Sequence, residues 1–361
     1  MRGELDPQGH LYSYLSPEKR VPAHHPLRRI KAFAEAALSA MSSKFEAMYG
    51  STGRPSIPPE RLLKSTVLIA LYSVRSDRLF CEMLDYNILF RWFLDMNMDE
   101  ESFDHSTFSK NRQRLIDHEI AKEFFGAVLQ QAKAQKLLSD EHFTVDATLI
   151  EAWASFKSVR RKDGTPPPSG GDGTGMVDFR GEKRSNATHE SSTDKDAKLM
   201  RKGNGQPAKL SFGAHALVEN RNGMLIDVHI SASTEAEPKA VEGMLDRRRK
   251  SRSRMKTLGA DKGYHTKAFV ELLRNRKIAP HIARIEARKT PGLDARTSRH
   301  ESYRQSQRKR KRIEEIFGWM KTIGGLRKSR FIGFAKNQMA AHLTGTAYNL
   351  VRMARLCLHT G

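Results

Sequence analysis

The spacing of hydrophobic residues along this chain changes near residue 140. Between about 26 and 138, apolar residues recur every three or four positions, which predicts amphipathic helices. Ser56 is the predicted N-cap of one helix, because prolines and Glu60 follow it as in a helical first turn. Residues 1–25 lack the pattern and are expected to form an irregular lead. Further helices are expected over about 78–84, 106–115 and 121–137.

From residue 142 the apolar positions alternate, as they do in a half-buried β-strand. In the predicted strand 142–150, Phe143 and Val145 share one face and Asp146 lies on the other. Asp is depleted in strands because its side chain competes for backbone hydrogen bonds, so Asp146 either caps the strand or has a function. Later elements are expected in the order strand 210–218, strand 224–230, helix 237–249, strand 255–260, helix 266–276, strand 278–282, helix 310–321 and helix 334–358.

This order predicts an α/β fold of the ribonuclease-H-like kind, a mixed sheet flanked by helices, behind an all-helical N-terminal domain. The stretch of about 157–207 is rich in Gly, Pro, Ser and charge, so it is expected to be a flexible, disordered insertion. The expected domains are a helical DNA-binding domain over 26–138, a catalytic domain over 139–333 that carries the insertion, and a C-terminal helix over 334–361 packing on it.

Charge is unevenly distributed in this 361-residue chain. The net charge is +22, which points to a polyanionic partner. Residues 241–330 hold 27 Lys and Arg against 9 Asp and Glu, so most of the excess lies there. Two cysteines suggest neither a disulfide framework nor a zinc site. With no signal peptide and no apolar run of about 18 residues, a cytoplasmic protein without a membrane partner is expected.

Three carboxylates stand at the points where such a fold would bring them together. Asp146 lies in the first strand, Asp261 follows strand 255–260, and Glu314 lies in the helix predicted over 310–321. At about 100° per residue, Arg310, Glu314 and Lys321 fall within roughly 40° of one another on that helix. Three carboxylates can hold two divalent ions about 4 Å apart for phosphodiester chemistry, and oxygen-only ligands suit Mg²⁺, with Mn²⁺ as a substitute.

Each acid also has a plainer interpretation. Arg310 and Glu314 match a surface ion pair worth a few tenths of a kcal/mol, and Asp261 before Lys262 and Gly263 is typical of a turn or cap. Helix 106–115 offers Lys110, Arg112 and Arg114 to DNA, as in a helix-turn-helix protein. The alternative is a polar surface helix capped by Asp104 or Ser106.

The motifs resemble those of DDE transposases of bacterial insertion sequences, specifically the insertion sequence five type, over nearly the whole chain. Residues 40–125 resemble the helical domain of that family, 145–148 its first carboxylate motif, and 261–264 its second, Asp-x-Gly-Tyr. The Arg-x3-Glu-x6-Lys signature at 310–321 resembles the third and selects Glu314 over Glu315. The family places a tyrosine where this chain has Gln307, and the nearest tyrosine is Tyr303.

The resemblance implies a transposase that cuts double-stranded DNA at the terminal inverted repeats of its element and joins the freed 3′-hydroxyl to target DNA. Asp146, Asp261 and Glu314 would bind the metal ions. A homodimer on DNA and association with the nucleoid are implied as well. A metal-dependent nuclease without strand transfer and a non-catalytic basic DNA-binding protein remain as alternatives. The expected phosphate contacts are Arg310, Lys321, Arg247, Arg248, Arg249, Lys250, Arg308 and Arg312, with Tyr264 stacking on or hydrogen-bonding to DNA.

Overall fold

The N-terminal region is helical, as predicted. The computed structural model describes residues 14–49, 56–117, 119–164, 178–179, 182–250, 254–287 and 289–358. Its first eight helices are α1 (Pro17–Arg20), α2 (Pro26–Ser39), α3 (Ser42–Met48), α4 (Pro59–Leu71), α5 (Asp77–Tyr86), α6 (Ile88–Phe93), α7 (His105–Asp117) and α8 (Ile120–Ala134).

Two predictions for this region were wrong. Helix α1 lies within the predicted irregular lead, where the Ser16 side chain accepts a hydrogen bond from the Lys19 N–H. Helix α4 begins after Pro58 without a side-chain cap, and the predicted N-cap Ser56 lies two residues before the observed one. The prolines that suggested a cap instead occupy the cap and first helical positions, where a missing N–H costs nothing.

The second half of the chain forms a mixed sheet. The strands are β1 (His142–Glu151), β2 (Val159–Arg161), β3 (Asp178–Phe179), β4 (Glu182–Lys183), β5 (His189–Ser191), β6 (Lys198–Met200), β7 (Lys209–Glu219), β8 (Met224–Ala232), β9 (Thr257–Ala260) and β10 (Ala279–Ile282). The main sheet has the order β10-β9-β1-β7-β6, and β8 pairs with β7. Strands β1, β7 and β8 are antiparallel, whereas β9 runs parallel to β1 and β10 parallel to β9.

The prediction of a disordered insertion was wrong for part of 157–207. Strand β6 joins the main sheet and β2 pairs with β5, while residues 165–177 and 180–181 lie outside the described residues. Polar side chains stabilise this segment: the Ser158 and Ser191 hydroxyls lie 2.7 Å apart, and Asp194 is buried and accepts the Gly333 N–H. The polar composition suggested disorder, but part of the segment is ordered because hydrogen bonds satisfy its buried polar groups.

The remaining helices are α9 (Glu237–Lys250), α10 (Lys267–Asn275), α11 (Ala295–Ser298), α12 (Glu301–Lys309), α13 (Arg312–Thr322) and α14 (Phe334–Leu356). Helix α13 confirms the helix predicted over 310–321, but it begins two residues later, since α12 ends at Lys309 and Arg310 and Lys311 form the junction between the two helices. Arg310 is thus the C-cap of α12, and Glu314 lies in the first turn of α13.

Helix α14 joins the two halves of the molecule. It packs on β8 and α13 of the sheet region and on α2, α4 and α8 of the helical region. One apolar core accordingly includes Leu27 of α2, Phe143 of β1 and Met353 of α14. No helix in the described part of the chain is long and apolar enough to cross a membrane.

Candidate active site

Asp146 and Asp261 lie side by side on neighbouring strands. In the parallel pairing of β1 with β9, Thr144 is opposite Gly259. The same sequence offset puts Asp261, the residue after β9, level with Asp146. Residues level with each other in a parallel pair project from the same face of the sheet. The strand order therefore places Asp146 and Asp261 next to each other, as the sequence analysis expected.

Local hydrogen bonds orient both aspartates. An Asp146 carboxylate oxygen accepts the Ala147 N–H at 2.8 Å. Asp261 caps a short 3-10 turn over Lys262–Tyr264, and its Oδ1 accepts the Gly263 N–H at 2.8 Å. The turn-and-cap interpretation of Asp261 is thus correct, and it leaves Oδ2 without a part in the cap.

Glu314 approaches the pair from α13. Ile313 and Ile316 are buried and hold this helix against the sheet, while Glu314 itself is exposed in the first turn. Burial raises the pKa of Asp146, the charges of Asp261 and Glu314 raise it further, and the Arg310 guanidinium opposes them. The site thus concentrates negative charge that the protein only partly neutralises.

The donor set fits a hard divalent cation, since it consists of carboxylate oxygens whose mutual repulsion a cation would relieve. Across the described ranges, however, no three His, Cys, Asp or Glu side chains stand close enough together to hold a metal ion. Glu314 is within electrostatic range of Asp146 but does not complete a closed ligand cluster with the two aspartates.

Two cations lie beside this carboxylate group. The Lys321 ammonium donates to the Thr148 hydroxyl at 2.5 Å, two residues along β1 from Asp146. Burial lowers the pKa of Lys321, and the nearby Lys202 and Arg327 add to the effect. Nε of Arg310 is buried and has no hydrogen-bond partner among the residues that the structure describes. An incoming anion would satisfy both side chains.

Several side chains predicted to contact DNA make contacts within the fold. Tyr264 is fully buried and its ring lies 5.4 Å from that of Phe269, so it cannot stack on DNA. The Arg312 guanidinium donates to the backbone carbonyls of Asn220 and Arg221, fastening α13 to the β7–β8 hairpin.

The basic residues at the end of α9 also fall into two groups, those with contacts in the fold and those exposed to solvent. Arg248 lies 4.3 Å from the centre of the Phe143 ring, and burial lowers its pKa, so it packs inward. Arg247 donates to Asp227 at 2.9 Å. Arg249 is exposed, as is Arg308 on α12, and the Lys250 side chain lies outside the described residues.

On α7, Lys110 and Arg114 are exposed, but Arg112 is not available to DNA. Its guanidinium pairs with Asp77 and lies 5.2 Å from the centre of the Phe331 ring. The helix begins with a capping carboxylate, since Asp104 accepts the N–H groups of Ser106 and Thr107.

Gln307, at the position of the family tyrosine, donates to the His281 carbonyl. Tyr303 donates to the Ile282 carbonyl at 2.9 Å. Both side chains therefore tie α12 to β10.

Glu237, the first residue of α9, escaped the sequence analysis. Burial raises its pKa, and the charges of Asp261 and Asp146 raise it further, so it belongs to the same electrostatic group. An acid in the first turn of a helix is ordinary in a sequence. Helix α9 packs on β1 and on the Lys262–Tyr264 turn, and this packing brings Glu237 near the aspartate pair.

A mixed sheet with paired aspartates on adjacent strands, flanked by cations, is suited to metal-assisted phosphodiester chemistry. Two family models match the chain: the one described as "Transposase domain (DUF772)" matches residues 15–114, and the one described as "Transposase DDE domain" matches residues 139–350. The second covers more than half of the chain. The chain belongs to this family and is a DDE transposase, an enzyme of a class that uses divalent metal ions.

No curated protein sequence matches the chain. Among solved structures it is similar to a piggyBac transposase synaptic complex with hairpin DNA, with a TM-score of 0.40 and 12% identity, covering 92% of this chain and 75% of that one. It is also similar to the Mos1 strand transfer complex, with a TM-score of 0.26 and 10% identity, covering 90% and 84%. Neither superposition is close enough to transfer details.

Proposed function

We propose that this transposase, of the insertion sequence five type, acts on the terminal inverted repeats of its own element. It cleaves DNA there and joins the freed 3′-hydroxyl to target DNA. The observation that carries the proposal is the alignment of Asp146 with Asp261 across β1 and β9, with Glu314 close enough to raise the pKa of Asp146. Like charges are held together at some cost to stability, as is usual for a functional site.

Asp146, Asp261 and Glu314 would hold Mg²⁺, or Mn²⁺ in its place. When bound, the metal would activate the attacking oxygen and stabilise the leaving oxygen. Support for this assignment comes from the raised pKa of Asp146 and the oxygen-only donor set.

Arg310 and Lys321 would bind the phosphates next to the scissile bond. Within the described ranges, Nε of Arg310 is buried without a hydrogen-bond partner and Lys321 donates to the Thr148 hydroxyl, which is consistent with two groups that would bind an anion. Both lie beside Asp146 rather than on a distant surface, so they would hold the phosphodiester where the carboxylates lie. This arrangement positions the reacting groups before any bond changes.

Exposed cations on α7, α9 and α12 would contact the DNA backbone without reading its sequence. The candidates are Arg249, Arg308, Lys110 and Arg114, all exposed in the structure. Because phosphate contacts release counterions, the affinity for DNA should fall steeply as salt increases. Two element ends must be processed together, so we expect the protein to act as a homodimer on DNA, associated with the nucleoid.

A strand-joining assay tests this proposal. The purified protein is incubated with Mn²⁺, a labelled duplex from the end of its element with a free 3′-hydroxyl, and a supercoiled plasmid. Labelled plasmid is the expected product, and Asp146→Asn should abolish it. Cleavage without joining would instead identify a metal-dependent nuclease. DNA binding with neither cleavage nor joining would leave only a basic DNA-binding protein, and joining by Asp146→Asn equal to that of the wild type would contradict the role of Asp146.

A further inference from the structure

Trp153 projects into solvent just after the strand that carries Asp146. It is 55% exposed, whereas its neighbours Ala152 and Ala154 are buried in the core. The Ala152 N–H donates to the Leu210 carbonyl at 2.8 Å, which fixes the backbone at this point. Tryptophan is normally well buried. A large aromatic ring is thus held in solvent on a rigid support.

Trp153 lines a cleft between the helical region and the sheet region. The other walls come from α4, α7, α14 and the segment 322–331, which follows α13. The volume of the cleft is about 340 Å³, within the range of about 300–1,000 Å³ that is usual for small-molecule sites. Apolar side chains form much of the lining, among them Ile69, Phe108, Phe331 and Leu343. The exposed cations Arg75 and Lys328 also line it. This lining suits a flat apolar ring that is joined to a negative charge.

Positive charge continues from the candidate active site to the cleft. Beyond Lys321, the segment that follows α13 lies beside the end of β1, where the Glu151 N–H donates to the Arg327 carbonyl at 3.2 Å. The side chains of Arg327 and Lys328 are exposed there. Burial lowers the pKa of Lys321, and the charges of Lys202 and Arg327 add to the effect, so these cations lie close together.

A DNA strand fits this surface better than a second copy of the chain does. A two-fold symmetric dimer formed through the cleft would place the same positive surface against itself, and like charges repel. A DNA strand instead brings phosphates to the cations. Each of its bases is a flat ring that can stack on an exposed aromatic side chain.

We propose that Trp153 and the cleft beside it bind a nucleobase of the DNA, unstacked from the duplex a few nucleotides from the cleaved phosphate. The inference rests on the proposed function, which places that phosphate beside Asp146 and Lys321. Lys321 contacts Thr148, and the five residues from Thr148 to Trp153 span at most ~18 Å. Successive nucleotides of one strand are ~3.4 Å apart along the duplex axis, so the base lies within about five nucleotides of the cleaved phosphate.

Binding of modified duplexes to the full-length protein tests the inference. Each duplex carries the end of the element and lacks one base at a chosen position, and binding is followed by fluorescence anisotropy without metal ions. On the unmodified duplex, Trp153→Ala should weaken binding about 5- to 150-fold, as expected for one stacked base. Trp153→Phe should weaken it much less, because a ring remains. At one position, removal of the base should abolish the difference between wild type and Trp153→Ala, since neither protein can then stack a base there.

Tyr86→Ala is the matched control, because Tyr86 is similarly exposed, 63%, at the end of α5. It should bind every duplex as the wild type does. Wild-type affinity in Trp153→Ala would overturn the inference, and so would an equal loss of affinity on every modified duplex. A change in the sedimentation of Trp153→Ala without a change in DNA affinity would identify a protein interface instead. If Trp153→Ala does not fold, Trp153→Leu takes its place, because leucine keeps apolar bulk without a ring.

The strand-joining assay distinguishes this inference from the function on which it rests. If the wild type joins strands but no missing base removes the effect of Trp153→Ala, the proposed function stands and the base site is wrong. If such a position exists but DNA is neither cleaved nor joined, the base site stands and the proposed function is wrong.

Discussion

Replacing Asn349 should loosen the joint between helix α14 and the sheet. Strand β8 pairs with β7, and side-chain amides of α14 bond to its other edge. The fully buried Asn349 accepts the Leu225 N–H at 3.0 Å and donates to the Leu225 carbonyl at 2.8 Å. Gln338 does the same further along, accepting the Ile230 N–H and donating to the Val228 carbonyl. The helix thus satisfies backbone groups that would otherwise be buried without partners.

Asn349→Leu keeps the approximate size of the side chain and removes both hydrogen bonds. Each backbone group left buried without a partner costs about 1–3 kcal/mol, or about 4 kcal/mol for the pair at mid-range. The apolar leucine recovers about 1–2 kcal/mol by burial. The net loss in the free energy of unfolding should therefore be about 2–3 kcal/mol, a large part of the 5–15 kcal/mol typical of a protein.

Urea unfolding followed by circular dichroism and tryptophan fluorescence measures this loss, and agreement between the two probes checks for two-state behaviour. Asn275→Leu serves as the control because Asn275 is exposed at the end of α10. A loss below about 1 kcal/mol at unchanged m value, or one equal to that of the control, would refute the reasoning.

Three further predictions concern other side chains. Burial lowers the pKa of His342 from 6.5 to about 4, so unfolding takes up a proton as the pH falls below 6.5. The free energy of unfolding should decline between pH 6.5 and 4 by up to about 3 kcal/mol. Measured by urea unfolding, this decline should be smaller in His342→Gln, and a decline equal to that of the wild type would contradict the prediction. Arg308→Ala should reduce the slope of log affinity for DNA against log salt concentration by about 1. Arg312→Ala should leave that slope unchanged, but it should lower the melting temperature by several degrees because the contacts with two backbone carbonyls are lost. Asp146→Asn should be more stable than the wild type at pH 7, because burial, Asp261 and Glu314 raise the pKa of Asp146. This difference in melting temperature should vanish as the pH falls through that raised pKa, since the wild-type carboxyl then becomes protonated.

The alternating pattern of apolar residues was enough to predict the strands of the sheet and the pairing of Asp146 with Asp261. Alternation around Asp146 and the placement of Asp261 directly after a strand are local signals, and parallel pairing then brings the two residues level. Strand and helix order could be read because periodicity depends on short-range geometry. The ends of most helices also lay within a few residues of their predicted positions.

Side-chain partners lay beyond the reach of the sequence. A helical wheel could not show that α12 ends at Lys309 and α13 begins at Arg312, with Arg310 as the C-cap of the first helix. A charge count treated Arg248 and Arg312 as free cations, although an aromatic ring and backbone carbonyls occupy them. Glu237 went unnoticed because its meaning depends on a contact across the fold, between α9 and the turn after Asp261.

Cleavage at a mapped position tests the central claim most directly. The protein is incubated with a duplex spanning one end of its element, with and without Mg²⁺, and the products are resolved to the nucleotide. We expect one Mg²⁺-dependent nick at the element boundary, lost in Asp146→Asn, Asp261→Asn and Glu314→Gln alike and retained in the surface control Glu271→Gln. A nick of undiminished yield in any of the three carboxylate variants would contradict the assignment of that residue to the active site.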